Sequence, residues 1–278
     1  MDPGARVRTR ILALLIAVGA SGCASTEADL AILASNSDQL IWEAGDKALQ
    51  KKQWENARQH FRRIVDAFPQ SQYAPDARIA LGDAYFNEGG DANYILAVSA
   101  YRDFVTLYPS HPKADYAQFQ TGECYYKRRH GADRDQTPTH EALNEYDRLL
   151  EAYPRSKHAE DAKQRIRDCR QSLARSEFLA GYFYQRTRRV CRSAIARYEG
   201  ILSEFPDYER LDDVLFRLGE CLLNQGRDAE ALPHLQRLLD TFPQSERVAE
   251  ARQLMQSADP TKRAPSPPPN PPAPPQTP

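Results

Sequence analysis

The chain has 278 residues, of which 41% are hydrophobic and 27% are charged, a mixture typical of globular proteins. Its 37 basic and 38 acidic side chains leave a formal net charge of -1. A nucleic-acid-binding protein needs a basic excess to neutralise phosphates, so this balance argues against that class and no nucleic-acid partner is expected.

The N-terminal segment has the pattern of a secretory signal peptide. Basic residues within the first ten positions precede an apolar run from Ile11 to Val18, and small residues lead from there to Cys23. The run is far shorter than the ~20 residues that cross a bilayer, so no transmembrane helix is predicted. Residues 1–22 are therefore expected to be removed on export.

The sequence Ala20-Ser21-Gly22-Cys23 resembles the bacterial lipobox, with Ala20 in place of the usual Leu. The resemblance implies that Cys23 is acylated and anchors the mature chain in a membrane, where several acyl chains hold a protein durably. The alternative is cleavage nearby by the ordinary signal peptidase. Ala24, rather than Asp, resembles an outer-membrane sorting signal, which implies a body in the periplasm. Residues 23–37 are small and polar and are predicted to form a lipidated tether.

An aromatic residue followed by proline recurs along the chain, and regular recurrence is typical of repeat architectures. The five instances are Phe68-Pro69, Tyr108-Pro109, Tyr153-Pro154, Phe205-Pro206 and Phe242-Pro243. Proline cannot continue a helix, so each instance is predicted to end one. The pattern predicts an all-α fold of about five helix hairpins over residues 38–257.

Each predicted hairpin resembles a tetratricopeptide repeat, with a small residue in its first helix and a large one in its second. The matched pairs are Gly45 with Phe61, Gly82 with Tyr101, Gly122 with Tyr146, Gly181 with Tyr198, and Gly219 with Leu235. The small residue lets two backbones approach while the large side chain fills the space between them. Stacked hairpins of this type form a right-handed superhelix with a concave inner surface.

Two irregularities interrupt the repeats. Residues 129–139 are predicted to be an insertion in the third repeat, and a long helix from near Ser156 to about Arg186 is predicted to open the fourth. Asp133 and Asp135 in the insertion could meet a cation, but a calcium loop needs more oxygen ligands at set spacing, so an exposed loop is favoured.

The remaining cysteines and the C-terminal segment carry no recognisable chemistry. Cys124, Cys169, Cys191 and Cys221 lie in helical patterns, which favours buried small hydrophobic residues over disulfides. Residues 258–278 are rich in proline and are predicted to be a disordered, extended spacer, with a segment reaching peptidoglycan or a partner as the alternative.

No common catalytic or cofactor-binding motif is found in the sequence. The expectation is therefore a protein that is not an enzyme, with no cofactor and no metal site. The signature tyrosines are expected to be core residues. A ligand groove would instead be lined by first-helix residues outside the signature, such as Arg78, Asn87, Gln118 and Lys127.

The lipobox, the five repeats, the insertion and the long fourth helix together resemble the BamD family of outer-membrane protein assembly factors. The nearest local match is Leu173 to Pro206, including Glu177 and Tyr182 to Tyr184. The resemblance implies a lipoprotein of the cell outer membrane that belongs to the barrel assembly machinery. It implies a BamA-like barrel subunit, other assembly-machine lipoproteins and unfolded outer-membrane β-barrel proteins as partners.

The same resemblance assigns residues to these partners. It implies that Arg197, with Glu199 beside it, faces the barrel subunit. It implies that Tyr73, Arg78 and Tyr116 line a groove for unfolded substrates. The alternative is a periplasmic tetratricopeptide scaffold of the CpoB type, which coordinates envelope constriction with peptidoglycan synthesis. An enzyme that uses the repeats as a targeting arm is disfavoured, because no residues remain for a catalytic domain.

Overall fold

The computed structural model describes residues 23–258, and their regular secondary structure is entirely α-helical. The helices are α1 (Cys23–Leu33), α2 (Asp38–Gln50), α3 (Trp54–Ala67), α4 (Ala74–Glu88), α5 (Asp91–Leu107), α6 (Ala114–Lys127), α7 (Thr137–Ala152), α8 (Ala159–Arg186), α9 (Cys191–Glu204), α10 (Leu211–Asn224), α11 (Asp228–Thr241) and α12 (Val248–Ala258). The predicted all-α class is confirmed. The predicted signal peptide, residues 1–22, and all but the first residue of the predicted C-terminal spacer lie outside the described residues.

The aromatic–proline pairs end the second helix of each hairpin, as predicted. Helices α3, α5, α7, α9 and α11 all stop at the residue before the aromatic one. The aromatic residue itself has φ between -125° and -133°, outside the helical range. A following proline clashes with a helical residue before it, which explains why the aromatic residue leaves the helical conformation.

The hairpins are held together where the predicted small residue meets a large side chain. A Cβ built on Gly82 would lie 2.6 Å from the ring of Tyr101, and one on Gly122 would lie 2.6 Å from Tyr146. The same contact joins Gly45 to Phe61, Gly181 to Tyr198 and Gly219 to Leu235, at 2.6 to 2.7 Å. Any real side chain at these positions would occupy the space of its neighbour.

The chain divides into two compact units within the described residues. The first contains residues 23–130 and 136–169, and the second contains residues 131–135 and 170–258. The first holds three hairpins, α2–α3, α4–α5 and α6–α7, which pack in sequence order. In the second, α9 packs on α10, α10 on α11, and α11 on α12. The single array predicted over residues 38–257 is thus divided between two compact units.

The ends of the array differ from the sequence expectation in one respect. The segment predicted to be a tether, residues 23–37, contains helix α1, and Asn56 of α3 donates a hydrogen bond to Asp29 of α1 at 3.4 Å. The predicted long helix is confirmed as α8, and the predicted insertion is confirmed as the loop between α6 and α7. Both Asp133 and Asp135 in that loop are exposed.

Three of the cysteines behave as predicted and one does not. Cys124, Cys169 and Cys221 are buried, whereas Cys191, the first residue of α9, is partly exposed. The prediction was wrong at Cys191 because the first turn of a helix presents its side chain beside the preceding loop. Acylation at Cys23 concerns a side chain that is not described, and it stays a prediction.

Candidate functional site

Arg197 lies on the surface of the second unit in an ion pair. Its Nη1 atom is 2.6 Å from Oε2 of Glu177 on α8, and the two side chains are 46% and 38% exposed. The hydrogen bond that Arg197 donates to Glu177, together with the negative charge of that carboxylate, raises the pKa of Arg197. Because both partners remain half accessible, the pair can be reached by another protein, and its intramolecular contribution to stability is small.

Two exposed aromatic residues lie on α8 near its C-terminal end. Tyr182 is 40% and Phe183 is 45% exposed, so both rings are accessible to another molecule. The Arg217 guanidinium lies 5.4 Å from the ring centre of Tyr182, and that of Arg188 lies 5.5 Å from the ring centre of Phe183. Exposed aromatic rings flanked by arginines match the composition of protein–protein interfaces.

Glu199 does not share the surroundings of Arg197. Glu199 is exposed on α9. Its negative charge favours the charged forms of Arg227, which precedes α11, and of His234, which lies on α11. Burial lowers the pKa of His234, and Glu199 partly opposes that effect. Arg197 pairs with α8 instead. The two residues predicted to act together therefore have different neighbours, although both are exposed in the second unit.

The three residues predicted to line a groove lie in different surroundings within the first unit. Tyr73 is half-buried at the start of α4, where its ring stacks on Trp42 with centres 5.7 Å apart. Tyr116 is half-buried on α6 and donates a hydrogen bond to Oδ1 of Asp83 at 2.8 Å. Burial raises the pKa of Asp83, and hydrogen bonds from Tyr116 and Tyr101 act against that rise. Both groove tyrosines thus contribute to packing between helices.

Arg78 lines an open cavity. The cavity measures about 250 Å³ and also includes Arg62, Asp66 and Asp103 in its wall. Within the described part of the chain, the buried Nε of Arg78 has no hydrogen-bond partner. A buried donor without a partner costs free energy, so the position of Arg78 carries a local energetic cost.

Sequence reasoning was wrong about one groove residue and missed another. Gln118 is buried, and its amide donates to the backbone oxygen and a carboxylate oxygen of Glu145 at 3.0 and 2.7 Å. It is therefore a packing residue, while Asn87 and Lys127 are exposed. Arg62 was missed because it lies on a second helix. Arg62 directly follows the signature residue Phe61, and this position could have predicted that Arg62 lies beside the neighbouring hairpin.

Residues 23–258 show neither a metal site nor a membrane-spanning helix. No group of three or more His, Cys, Asp or Glu side chains in this range could hold a metal ion. No helix in the same range is long and apolar enough to cross a membrane.

Comparisons with known proteins place the chain in a family. The chain is 26% identical to the outer membrane protein assembly factor BamD of Caulobacter vibrioides, over 81% of this chain and 73% of that protein. It is 24% identical to the factor of the same name from Rickettsia prowazekii, over 90% and 98% of the two chains.

A tetratricopeptide protein of Thermus thermophilus has a similar solved structure, 19% identical with a TM-score of 0.34, covering 80% of this chain and 98% of that one. A likeness of that size adds nothing to the hairpins described above.

The assembly-factor relatives confirm the expectation of a protein that is not an enzyme. The sequence model of the family YfiO, described as outer membrane lipoprotein, matches residues 34–231, which is most of the chain. These residues include the first four hairpins in full and the fifth as far as the first turn of α11. The chain therefore belongs to the YfiO family of outer membrane lipoproteins.

Proposed function

We propose that the chain is a lipid-anchored scaffold of the β-barrel assembly machinery, held in the outer membrane by acylated Cys23. Its relatives from Caulobacter and Rickettsia carry the name outer membrane protein assembly factor, and the family match spans residues 34–231. In this role the second unit binds the periplasmic domain of a BamA-like barrel subunit. The observation that carries this proposal is the accessible Arg197–Glu177 pair, whose Glu177 lies on the same helix as the exposed Tyr182 and Phe183.

The first unit supplies the second part of the proposed function. The cavity formed by Arg62, Arg78, Asp66 and Asp103 offers two guanidinium groups and two carboxylates to an extended polypeptide. A peptide carries backbone oxygens at regular spacing, and one of them can accept a hydrogen bond from the guanidinium group of Arg78, which lines the cavity. This site would receive unfolded outer-membrane β-barrel proteins, while Tyr73 and Tyr116 pack elsewhere in the first unit.

Reversing the charge of Arg197 is expected to release the barrel subunit. Arg197→Glu places a second negative charge opposite Glu177 and opposite any acidic partner group, so binding should weaken at least about tenfold. The measurement is the amount of barrel subunit that co-purifies with the variant from detergent-solubilised membranes.

A charge swap separates this effect from a local defect in folding. Arg197→Glu combined with Glu177→Arg restores the internal ion pair but keeps the reversed charge at position 197. We expect the double variant to fold normally and still bind weakly. Full recovery of binding in the double variant would mean that the pair acts only within the chain. The exposed Arg237, on α11 of the same unit, provides the control Arg237→Glu, which should bind normally.

Removing the guanidinium of Arg78 is expected to weaken substrate binding. Arg78→Ala should reduce the affinity for a synthetic peptide from the C-terminal strand of an outer-membrane barrel protein by about tenfold, because one charge-assisted hydrogen bond contributes roughly 1.5–3 kcal/mol. Fluorescence anisotropy with labelled peptide measures the change. The matched control is Arg63→Ala, since Arg63 is exposed on α3 and covers the ring of Phe68 instead. Equal losses in both variants would contradict the assigned site.

A further inference from the structure

Four arginines occur within seven residues where α8 connects to α9. They are Arg186, Arg188, Arg189 and Arg192, and all four are exposed. In the described part of the chain, Arg186 forms an ion pair with Glu220, whereas no carboxylate forms an ion pair with the other three. This segment, residues 186–192, is called the basic connection below. It carries a concentrated positive charge that the second unit leaves largely uncompensated.

The backbone of the basic connection is hydrogen-bonded to the end of α8. The amide of Arg188 donates to the carbonyl oxygen of Phe183 at 3.2 Å. The amide of Val190 donates to the carbonyl oxygen of Tyr184 at 2.9 Å. Between them, Arg189 has a left-handed φ of 56°, a conformation that costs free energy in a residue with a side chain. A surface that is already ordered in this way loses less entropy when it binds a partner.

The basic connection also presents an apolar side chain among its charges. Val190 is 44% exposed and directly follows Arg189. Guanidinium groups bind carboxylates through paired N–H donors, and an exposed aliphatic side chain packs on apolar groups of a partner. We propose that the basic connection is a docking surface for an acidic segment of another protein, in which carboxylate side chains alternate with apolar ones.

The cavity beside the basic connection favours spaced carboxylates over one compact anion. It measures about 480 Å³, and both Arg189 and Glu220 line it. Gln185 and Arg217 donate hydrogen bonds to Oε2 of Glu220 at 2.7 and 2.8 Å, so these donors already have an acceptor within the chain. The arginines without an ion pair are spread along the connection. Carboxylates spaced along a polypeptide therefore match them better than a single phosphate group.

The basic connection differs from the proposed site for the barrel subunit. That site is based on Arg197, whose charge is compensated by Glu177 at 2.6 Å. The basic connection has three arginines with no such partner in the described residues. The inference goes beyond the proposed function, and it would stand if the barrel subunit bound elsewhere.

The first test measures the binding of synthetic peptides to the purified mature chain by fluorescence anisotropy. One labelled probe alternates glutamate with valine, and a second probe has glutamine in place of every glutamate. We expect the acidic probe to bind at least about tenfold more tightly than the neutral one, because only carboxylates compensate the arginine charges. The affinity for the acidic probe should also fall as salt is added.

Removal of the three uncompensated guanidinium groups should abolish this preference. The triple variant combines Arg188→Gln, Arg189→Gly and Arg192→Gln. Glycine adopts the left-handed φ of position 189 without a steric cost, so the variant should fold normally. We expect its affinity for the acidic probe to fall at least about tenfold.

A matched control changes the net charge by the same amount elsewhere in the second unit. It combines substitutions of three exposed arginines, Arg175→Gln, Arg237→Gln and Arg252→Gln. This control should bind the acidic probe within about twofold of wild type, because scattered surface charges contribute little once salt screens them.

Three results would overturn the proposal. The first is equal binding of the acidic and neutral probes by wild type. The second is an equal loss of affinity in the triple variant and the control, because net charge alone would then explain binding. The third is co-sedimentation with vesicles that contain phosphatidylglycerol, lost in the triple variant, without binding of the acidic probe. That outcome would assign the basic connection to lipid headgroups.

Discussion

Gly181→Ala is expected to lower the free energy of unfolding by about 2 kcal/mol, although alanine is normally the better helix former. A Cβ at this position would lie 2.7 Å from Cε1 of Tyr198, whose ring is fully buried. Neither the ring nor the helix backbone can yield without opening the hairpin between α8 and α9. The variant should therefore unfold at a lower denaturant concentration, measured by circular dichroism.

Gly200→Ala is the matched control in the same hairpin. Gly200 lies within α9, and a Cβ built there would have no heavy atom within 4 Å. Alanine should here raise the free energy of unfolding by roughly 0.5–1 kcal/mol through its helix propensity alone. Stabilisation by both substitutions would show that the ring of Tyr198 does not require glycine opposite it.

Tyr146→Ala is expected to lower the free energy of unfolding by about 4 kcal/mol, as is typical when a buried aromatic residue is replaced by alanine. The side chain of Tyr146 is fully buried between α6 and α7 and fills the space opposite Gly122. Its hydroxyl donates a hydrogen bond to Oε1 of Glu123 at 2.7 Å, and Arg165 holds the same carboxylate. The substitution removes the packing of the Tyr146 ring, and it also removes one hydrogen-bond donor to the buried carboxylate of Glu123.

Tyr146→Phe separates these contributions. It keeps the ring and removes the hydrogen bond to Glu123, so the expected loss is about 1–2 kcal/mol. Denaturant unfolding monitored in the first unit gives both values. If Tyr146→Phe were as damaging as Tyr146→Ala, the hydrogen bond rather than the packing of the ring would hold the third hairpin.

Much of the fold could be predicted from the sequence because its determinants are local. Proline after an aromatic residue ends a helix through contacts with its immediate neighbours, so the end of α3 at Ala67 could be placed before Phe68. A glycine and a ring at fixed separation report the close approach of two helices, as Gly82 and Tyr101 do. These patterns require no knowledge of how one hairpin meets the next.

The candidate site was less predictable because it depends on contacts between hairpins. The buried hydroxyls of Tyr101 and Tyr146 donate to Asp83 and Glu123, each of which directly follows its signature glycine. Tyr198 instead donates to Gln185, four residues after Gly181, so the acceptor could not be placed by one rule. Gln118 was expected in a groove, but Glu145 of the following helix holds it in the interior. Sequence spacing also could not separate Arg197 from Glu199, because two residues on one helix can face different neighbouring helices.

The most direct test of the proposed scaffold role is to identify the proteins that the full-length, lipid-bearing chain holds in the membrane. Affinity purification from detergent-solubilised membranes, followed by mass spectrometry, gives this answer. We expect a large outer-membrane barrel protein with repeated periplasmic domains to be recovered, and to be reduced with Arg197→Glu. Recovery of septal peptidoglycan synthases in its place would contradict the assembly role and favour a scaffold for envelope constriction.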